Sequence, residues 1–574
     1  MRYLSSIALC LTLLPAVAGA ATMHLEVRHL WEGKPLALES DEVTTKAGER
    51  LKLSRLAYLL SEPGLVMKDS NRLLVKKDWV AYVDAENPIS ELILTDLPPG
   101  SYHSLQFHIG LDQETDRSDP SQYSPKHPLN PLLNNLHWDP QGGYIFVALE
   151  GNADTGLGFS YHLGGADNRV LCQFPVNLEI DDTITVAIDF HLDRLFNGET
   201  PWETAGQTST HSRSGDPVAT RMKEGLPTIF TIRGVRRDTN LTGSDTNPSP
   251  DLIGTPYPFK VKRGFPVPNL PEDYPLTKER VDLGAALFHD LRLSKNNSLS
   301  CASCHQDGHA FSDPDKLSIG ANGESGRRQS MPLFNLAWKK QFFWDGRANS
   351  LREQALMPIE DHLEMDESIE NVLAKLSDDT SYPAQFEAAY GSSEISGERI
   401  GIAIEQFLLT ITSYDSRFDQ ALAGSASLTE EEKRGFELFM TEFDPRRGLR
   451  GADCFHCHSG PFFSTHRFHN NGLALTDDTG LMEVTSAESD RGKFVTPSLR
   501  NVALTAPYMH DGRFSTLEEV VEHYASGIER SETLDPNLSK HPGPGIPLSG
   551  EDKRALVAFL HTLTDERFSD PSHE

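Results

Sequence analysis

Cys301-Ala-Ser-Cys304-His305 and Cys454-Phe-His-Cys457-His458 are the stretches on which the reading of this chain turns. Both match C-x-x-C-H. In that motif two thiols add across the vinyl groups of a haem, and the adjacent histidine reaches the iron as proximal ligand. One zinc site built from four thiolates, or a redox C-x-x-C pair, is the alternative. Two complete copies, each with its histidine, favour two covalently bound c-type haems with His305 and His458 as axial ligands. Cys172 stands alone as a small buried residue.

Working outward, the N-terminus predicts export. Arg2 precedes the apolar run Ile7–Leu14, followed by Pro15 and Ala18-Gly-Ala20, which reads as a signal peptide over residues 1–20 cleaved near Ala20. Leu9 before Cys10 is too bulky for a lipoprotein signal. The expected compartment is the periplasm, and so few cysteines do not make a disulfide scaffold. No later stretch offers the ~20 apolar residues of a membrane span. The formal net charge of −30 argues against nucleic acid or an anionic membrane as partner.

The 574 residues exceed what one core usually serves. Residues 22–235 read as β: Thr183–Leu192 alternates strictly, with Ile184, Val186, Ile188, Phe190 and Leu192 on one face, and Tyr102–Ile109 and Gly143–Leu149 are further strands. Asp216-Pro217 predicts an isolated helix start. Residues 236–275, rich in Asn, Ser, Asp, Pro and Gly, read as a linker. Beyond it the period becomes helical, with Ile400, Ile404, Leu408 and Ile411 in register and capping boxes at Thr429/Glu432 and Thr516/Glu519. The expected fold is multidomain: an N-terminal all-β sandwich-like domain, then a mainly α part made of two haem lobes, 276–425 and 426–574.

Whatever lies opposite each proximal histidine decides the chemistry, because an iron with an open face can activate peroxide and a closed one carries electrons. Around the motifs stand Asn335, Phe342-Phe-Trp-Asp-Gly-Arg347, Gln354-Ala-Leu-Met-Pro358, Glu364 and Thr496–Gly512. Over roughly 270–570 this resembles the bacterial di-haem cytochrome c peroxidase superfamily, and within it the MauG-like enzymes, including the MbnH branch. Peroxidase members carry a methionine ligand in the helix after the Tyr-x-His-x-Gly motif; counted from Tyr508, that position is Tyr524 here. The loop Phe311–Gln329 has no histidine to close the first haem. The resemblance implies Glu364 as distal acid/base, Gln354 and Pro358 shaping the pocket, Trp344 as relay between the haems, and Tyr524 as second ligand of the second haem. It also implies calcium near Gln329, Thr505 and Pro507, with Gln329 replacing the family's asparagine.

Residues 22–235 resemble MbnP-type copper-binding proteins through Ser54–Ser61, Gly142–Gly151, Tyr161–Gly164 and His211–Pro217. In that family a tryptophan oxidised to kynurenine joins histidines on copper. The resemblance implies Trp138 as that residue, although Pro140 replaces a second family tryptophan, with His162, His211 and His29 as ligands. The expected activity is use of hydrogen peroxide to form a high-valent di-haem state that oxidises a protein tryptophan, Trp138 in cis or one on another protein. A cytochrome or copper protein is the expected electron donor. Two alternatives remain open at this point: a cytochrome c peroxidase that detoxifies peroxide, and a non-catalytic copper and electron carrier.

Overall fold

The computed structural model describes residues 21–137, 143–198, 202–204, 207–210, 212, 215–237 and 253–569. Residues 1–20, expected as a signal peptide, and Trp138 and His211 lie outside the described residues.

The N-terminal domain is two sheets packed face to face. In the first, Ala21–Trp31 runs parallel to Thr183–His191 and antiparallel to Ser90–Leu97, and Phe230–Arg237 flanks Thr183–His191. In the second the order is Val170–Ile180, Gly100–Ile109, Arg50–Met67, Ile145–Ala153, Gly158–Gly164 and Ser209–Thr210. Alternation decides what is buried between them, since successive side chains point to opposite faces of a strand. Ile184, Val186, Ile188 and Phe190 meet Met23, Leu25 and Val27 and the inner face of the second sheet in one core. The helix Pro217–Gly225 starts where Asp216 caps the amides of Val218 and Ala219.

The expected linker needs correction in its described part. Tyr257, Phe259, Val261, Leu270 and Tyr274 pack against the core of the first lobe. The Trp338 indole donates to the carbonyl of Pro266 at 2.6 Å. From the other side, Asp119 of the β domain accepts from the amide of Gly264, and Asn130 donates to the carbonyl of Val267 at 3.0 Å. Residues 253–275 are therefore a packed strap, with aromatic anchors that a composition reading misses.

The two lobes repeat one design. In the first, helix Lys278–Phe288 crosses Gly397–Thr410 at Gly284, where an added Cβ would lie 1.9 Å from the Ala403 carbonyl and 2.8 Å from the Phe407 Cβ. In the second, Glu430–Phe439 crosses Gly550–His561 at Gly435, 1.9 Å from the Ala555 carbonyl and 2.7 Å from the Phe559 Cβ. Only glycine permits that approach. The capping boxes at Thr429/Glu432 and Thr516/Glu519 open their helices as expected. Among the described residues no helix is long and apolar enough to cross a membrane.

Candidate active site

Each haem motif sits in a tight turn that aims its histidine. Ala310 and Phe311 adopt consecutive left-handed conformations (φ 51° and 57°) and bring the Phe311 carbonyl back to 3.0 Å from His305 Nδ1. In the second lobe Phe463 (φ 50°) presents its carbonyl to His458 Nδ1 at the same distance. Each ring thus donates Nδ1–H to backbone and keeps Nε2 for a metal. Burial pushes both imidazoles down, His458 to about 4, so both stay neutral and ready to ligate.

The first lobe encloses a large cavity whose wall includes Cys301, Cys304, His305, Gln354, Pro358 and Glu364. Gln354 and Pro358, one helical turn apart on Leu351–Glu360, share a face. Glu364 follows just past the helix end. Burial, then the charge of Asp361, raises its carboxyl above the ordinary range, against the pull of Arg347 and Arg327. The chain's residues fit a haem here. The Cys301 and Cys304 thiols are pushed up by burial to about 12 and 11, which keeps them protonated until they are consumed in thioethers. Lys339 lines the same cavity, and burial pushes its amine down to about 8. A buried cation of this kind is what an anionic haem carboxylate would satisfy.

The second lobe differs at one place in the shared design. Ser350 and Thr516 cap equivalent helices, and Pro358 and Tyr524 stand eight residues beyond their respective caps. Proline offers no ligand atom; Tyr524 offers a phenol. Burial raises that phenol, and the nearby sulfurs of Cys457 and Cys454 raise it further, while Asn471 meets its hydroxyl at 3.5 Å. By the same correspondence Trp344 of Trp-Asp-Gly-Arg matches His510 of His-Asp-Gly-Arg.

These two meet at the seam between the lobes. The Trp344 indole donates to the Gln329 carbonyl at 2.8 Å, and the Gln329 amide donates to the His510 carbonyl at 2.8 Å. Val495 of the second lobe donates to the Trp344 carbonyl at 2.9 Å. The Gln329 side chain turns into its own lobe, donating to Ser312 Oγ at 2.9 Å. Thr505 and Pro507 lie just before the His510 stretch that Gln329 binds.

The expected copper ligands separate. His29 lies in the inter-sheet core, 3.0 Å from the Tyr58 hydroxyl and against Phe190. His162 faces the opposite way: its strand neighbours Tyr161 and Leu163 enter the core, so alternation turns His162 onto the outer face of the second sheet. His29 is thus corrected to a core histidine, because the two rings project from opposite sides of a sheet. His162 Nε2 lies 2.8 Å from Glu150, which also accepts from Arg55 at 3.0 Å. The second lobe covers this face: Arg447 pairs with Asp216, Lys493 with Glu39 at 2.5 Å, Arg467 with Glu86 at 3.2 Å, and Ser539 donates to Asn152 at 2.6 Å. The sequence carries no signal for Glu150, Lys339 or His456 as site residues: Glu150 and His456 lie within motifs read for their neighbours, and Lys339 lies between two such motifs.

Comparison with known proteins places both parts of the chain in families. The family model for di-haem cytochrome c peroxidase matches residues 278–427, and the MbnP model matches residues 20–212. The methylamine utilization protein MauG of Methylorubrum extorquens is 39% identical over 311 residues, 54% of this chain and 84% of that protein. Cytochrome c peroxidase Ccp of Escherichia coli is 35% identical over 52% of this chain and 61% of its own length. Among solved structures, a MauG-like protein associated with microbial copper homeostasis is 36% identical, with a TM-score of 0.48, over 55% of this chain and all of that one. The chain belongs to the di-haem cytochrome c peroxidase family, haem-dependent oxidoreductases with two c-type haems, and carries an MbnP domain ahead of its enzyme lobes.

Proposed function

We propose that the chain uses hydrogen peroxide to oxidise a protein tryptophan, that Trp138 of the same chain is the target, and that the kynurenine so formed completes a copper site with His162 and His211. The haems, when bound, supply the iron that accepts oxidising equivalents from peroxide. The residues of the first lobe do the rest there. Glu364, raised by burial, takes a proton from the incoming peroxide and returns it to the departing oxygen. Gln354 and Pro358 hold that side free of a protein ligand. Trp344 spans the lobe seam as the relay, and Tyr524 would offer its phenol oxygen as a ligand to the second haem. Gln329, Thr505 and Pro507 are the proposed calcium neighbourhood, and the periplasm is the proposed compartment.

One observation carries the in-cis reading. A Cβ built on Gly460, two residues past His458, would lie 3.4 Å from the carbonyl of His137. The residue directly before Trp138 therefore touches the loop of the second haem. Arg55 holds the approach to it, donating to the Asn135 carbonyl at 2.9 Å. A target tethered next to that contact reacts without a bimolecular encounter. Peptide mass spectrometry of the haem-loaded chain before and after peroxide tests this: kynurenine or its formylated precursor at residue 138 is expected. Unmodified Trp138 with full haem content would refute the in-cis target. Rapid sustained turnover with reduced cytochrome c and no modification would instead favour peroxide detoxification.

A further inference from the structure

Outside the haem cavities, the most organised polar group lies where the N-terminal domain meets the second lobe. From the β domain comes His162, its Nε2 donating to Glu150 at 2.8 Å. Burial alone would raise Glu150, but Arg55, His162 and Arg467 outweigh it and keep the carboxylate charged. From the second lobe comes His456, the residue just before Cys457 in the haem-attachment motif. Its Nε2 lies 3.1 Å from the ammonium of Lys540, which Glu442 (3.1 Å) and Asp453 (3.2 Å) hold in turn. Glu442, Asp453 and His456 lie close enough together for a metal site. The Lys540 ammonium already stands among them as their cation.

The His162 and His456 rings approach to 5.5 Å between centroids at 53°. His162 is 3% exposed and His456 7%, so the contact is dry. His456 also stacks on Phe455 at 4.3 Å, continuing a run of rings along the attachment loop. The equivalent positions in the first motif are Ala302 and Ser303, which carry no ring. Electron transfer falls off exponentially with the gap it must cross, so packed rings between two redox groups shorten the effective path. The ion pairs from Arg447, Arg467 and Lys493 to the β domain hold that gap fixed.

We propose that His162 and His456 form the electron port of this chain, through which electrons withdrawn from the N-terminal domain enter the second haem. The proposal rests on the in-cis reading and names its route. For each hydrogen peroxide, two electrons cross one at a time from the indole. With each pair of electrons the indole releases two protons and takes up one water, and each peroxide takes up two electrons and two protons to leave as two waters. Two peroxides and two waters thus give N-formylkynurenine, and a further water releases formate to give kynurenine.

The test uses the haem-loaded full chain as wild type, His456→Ala and His456→Phe, each given two equivalents of peroxide. Stopped-flow absorbance follows the return of the second haem to its resting spectrum, electron paramagnetic resonance follows the protein radical, and peptide mapping reads residue 138. The alanine variant is expected to slow the return by an order of magnitude or more, and the phenylalanine variant, which keeps a ring, to restore most of it. Equal rates and equal Trp138 modification in wild type and His456→Ala would overturn the port alone. Equal slowing in both variants would assign His456 to holding the loop and also overturn the port. Unmodified Trp138 in the wild type would overturn the in-cis reading and the port with it.

Discussion

Replacing Tyr524 with phenylalanine separates ligation from folding. Among the described residues the Tyr524 hydroxyl has one hydrogen-bond partner, the Asn471 amide at 3.5 Å, at the outer limit of a hydrogen bond. A bond that long contributes no more than the lower end of the usual range, about 0.5 kcal/mol. Against it stands the cost of burying a hydroxyl, which phenylalanine removes. The ring stays in the helix Leu517–Ser526, whose capping box and buried Val521 and Ala525 are untouched. The net change in stability is therefore close to zero, within about 0.5 kcal/mol. If the phenol oxygen ligates the second haem, its loss converts that ferric haem from six- to five-coordinate. The assay is electron paramagnetic resonance with parallel absorbance of the haem-loaded variant, expected to show one low-spin signal replaced by a high-spin one. An unchanged low-spin signal, at full haem content and with an unchanged melting curve, would refute Tyr524 as ligand and point to another group.

Glu364→Gln keeps the shape of the cavity wall and removes the base, so the reaction with peroxide is expected to slow by roughly 10²–10⁴-fold. Because burial and Asp361 raise the carboxyl, the wild-type rate is expected to be full above that raised value and to fall as pH drops through it, at a higher pH than for an ordinary glutamate. A glutamine variant with the same acid limb would reject that assignment. Gly435→Ala places a methyl carbon 1.9 Å from the Ala555 carbonyl, so the crossing helices must separate. Such overpacking costs about 1–3 kcal/mol, read as an earlier urea midpoint of the second haem's absorbance, and Gly284→Ala should do the same in the first lobe. An unmoved midpoint would contradict the crossing.

The haem motifs were legible because covalent chemistry needs fixed local spacing, and the strand Thr183–Leu192 because alternation is local too. The linker was misread because composition does not register a few aromatic anchors: Phe265 and Tyr274 pack against a lobe that begins only later in the chain. His29 was misread for a related reason. Its ring type suited copper, but which face of a sheet a histidine occupies depends on strands as distant as Arg50–Met67, which supplies Tyr58.

The sequence by itself determined two haem-attachment motifs, the order of a β domain and a helical pair, and a local difference between the two lobes. That last point is local: Tyr524 stands where peroxidase relatives place a methionine, and the loop Phe311–Gln329 holds no histidine. Only the tertiary structure decided which haem the N-terminal domain faces. His137 against Gly460, and His162 against His456, join segments hundreds of residues apart. Such contacts arise from the packing of one folded surface on another, held by buried charge pairs such as Arg447 with Asp216. No local spacing records them.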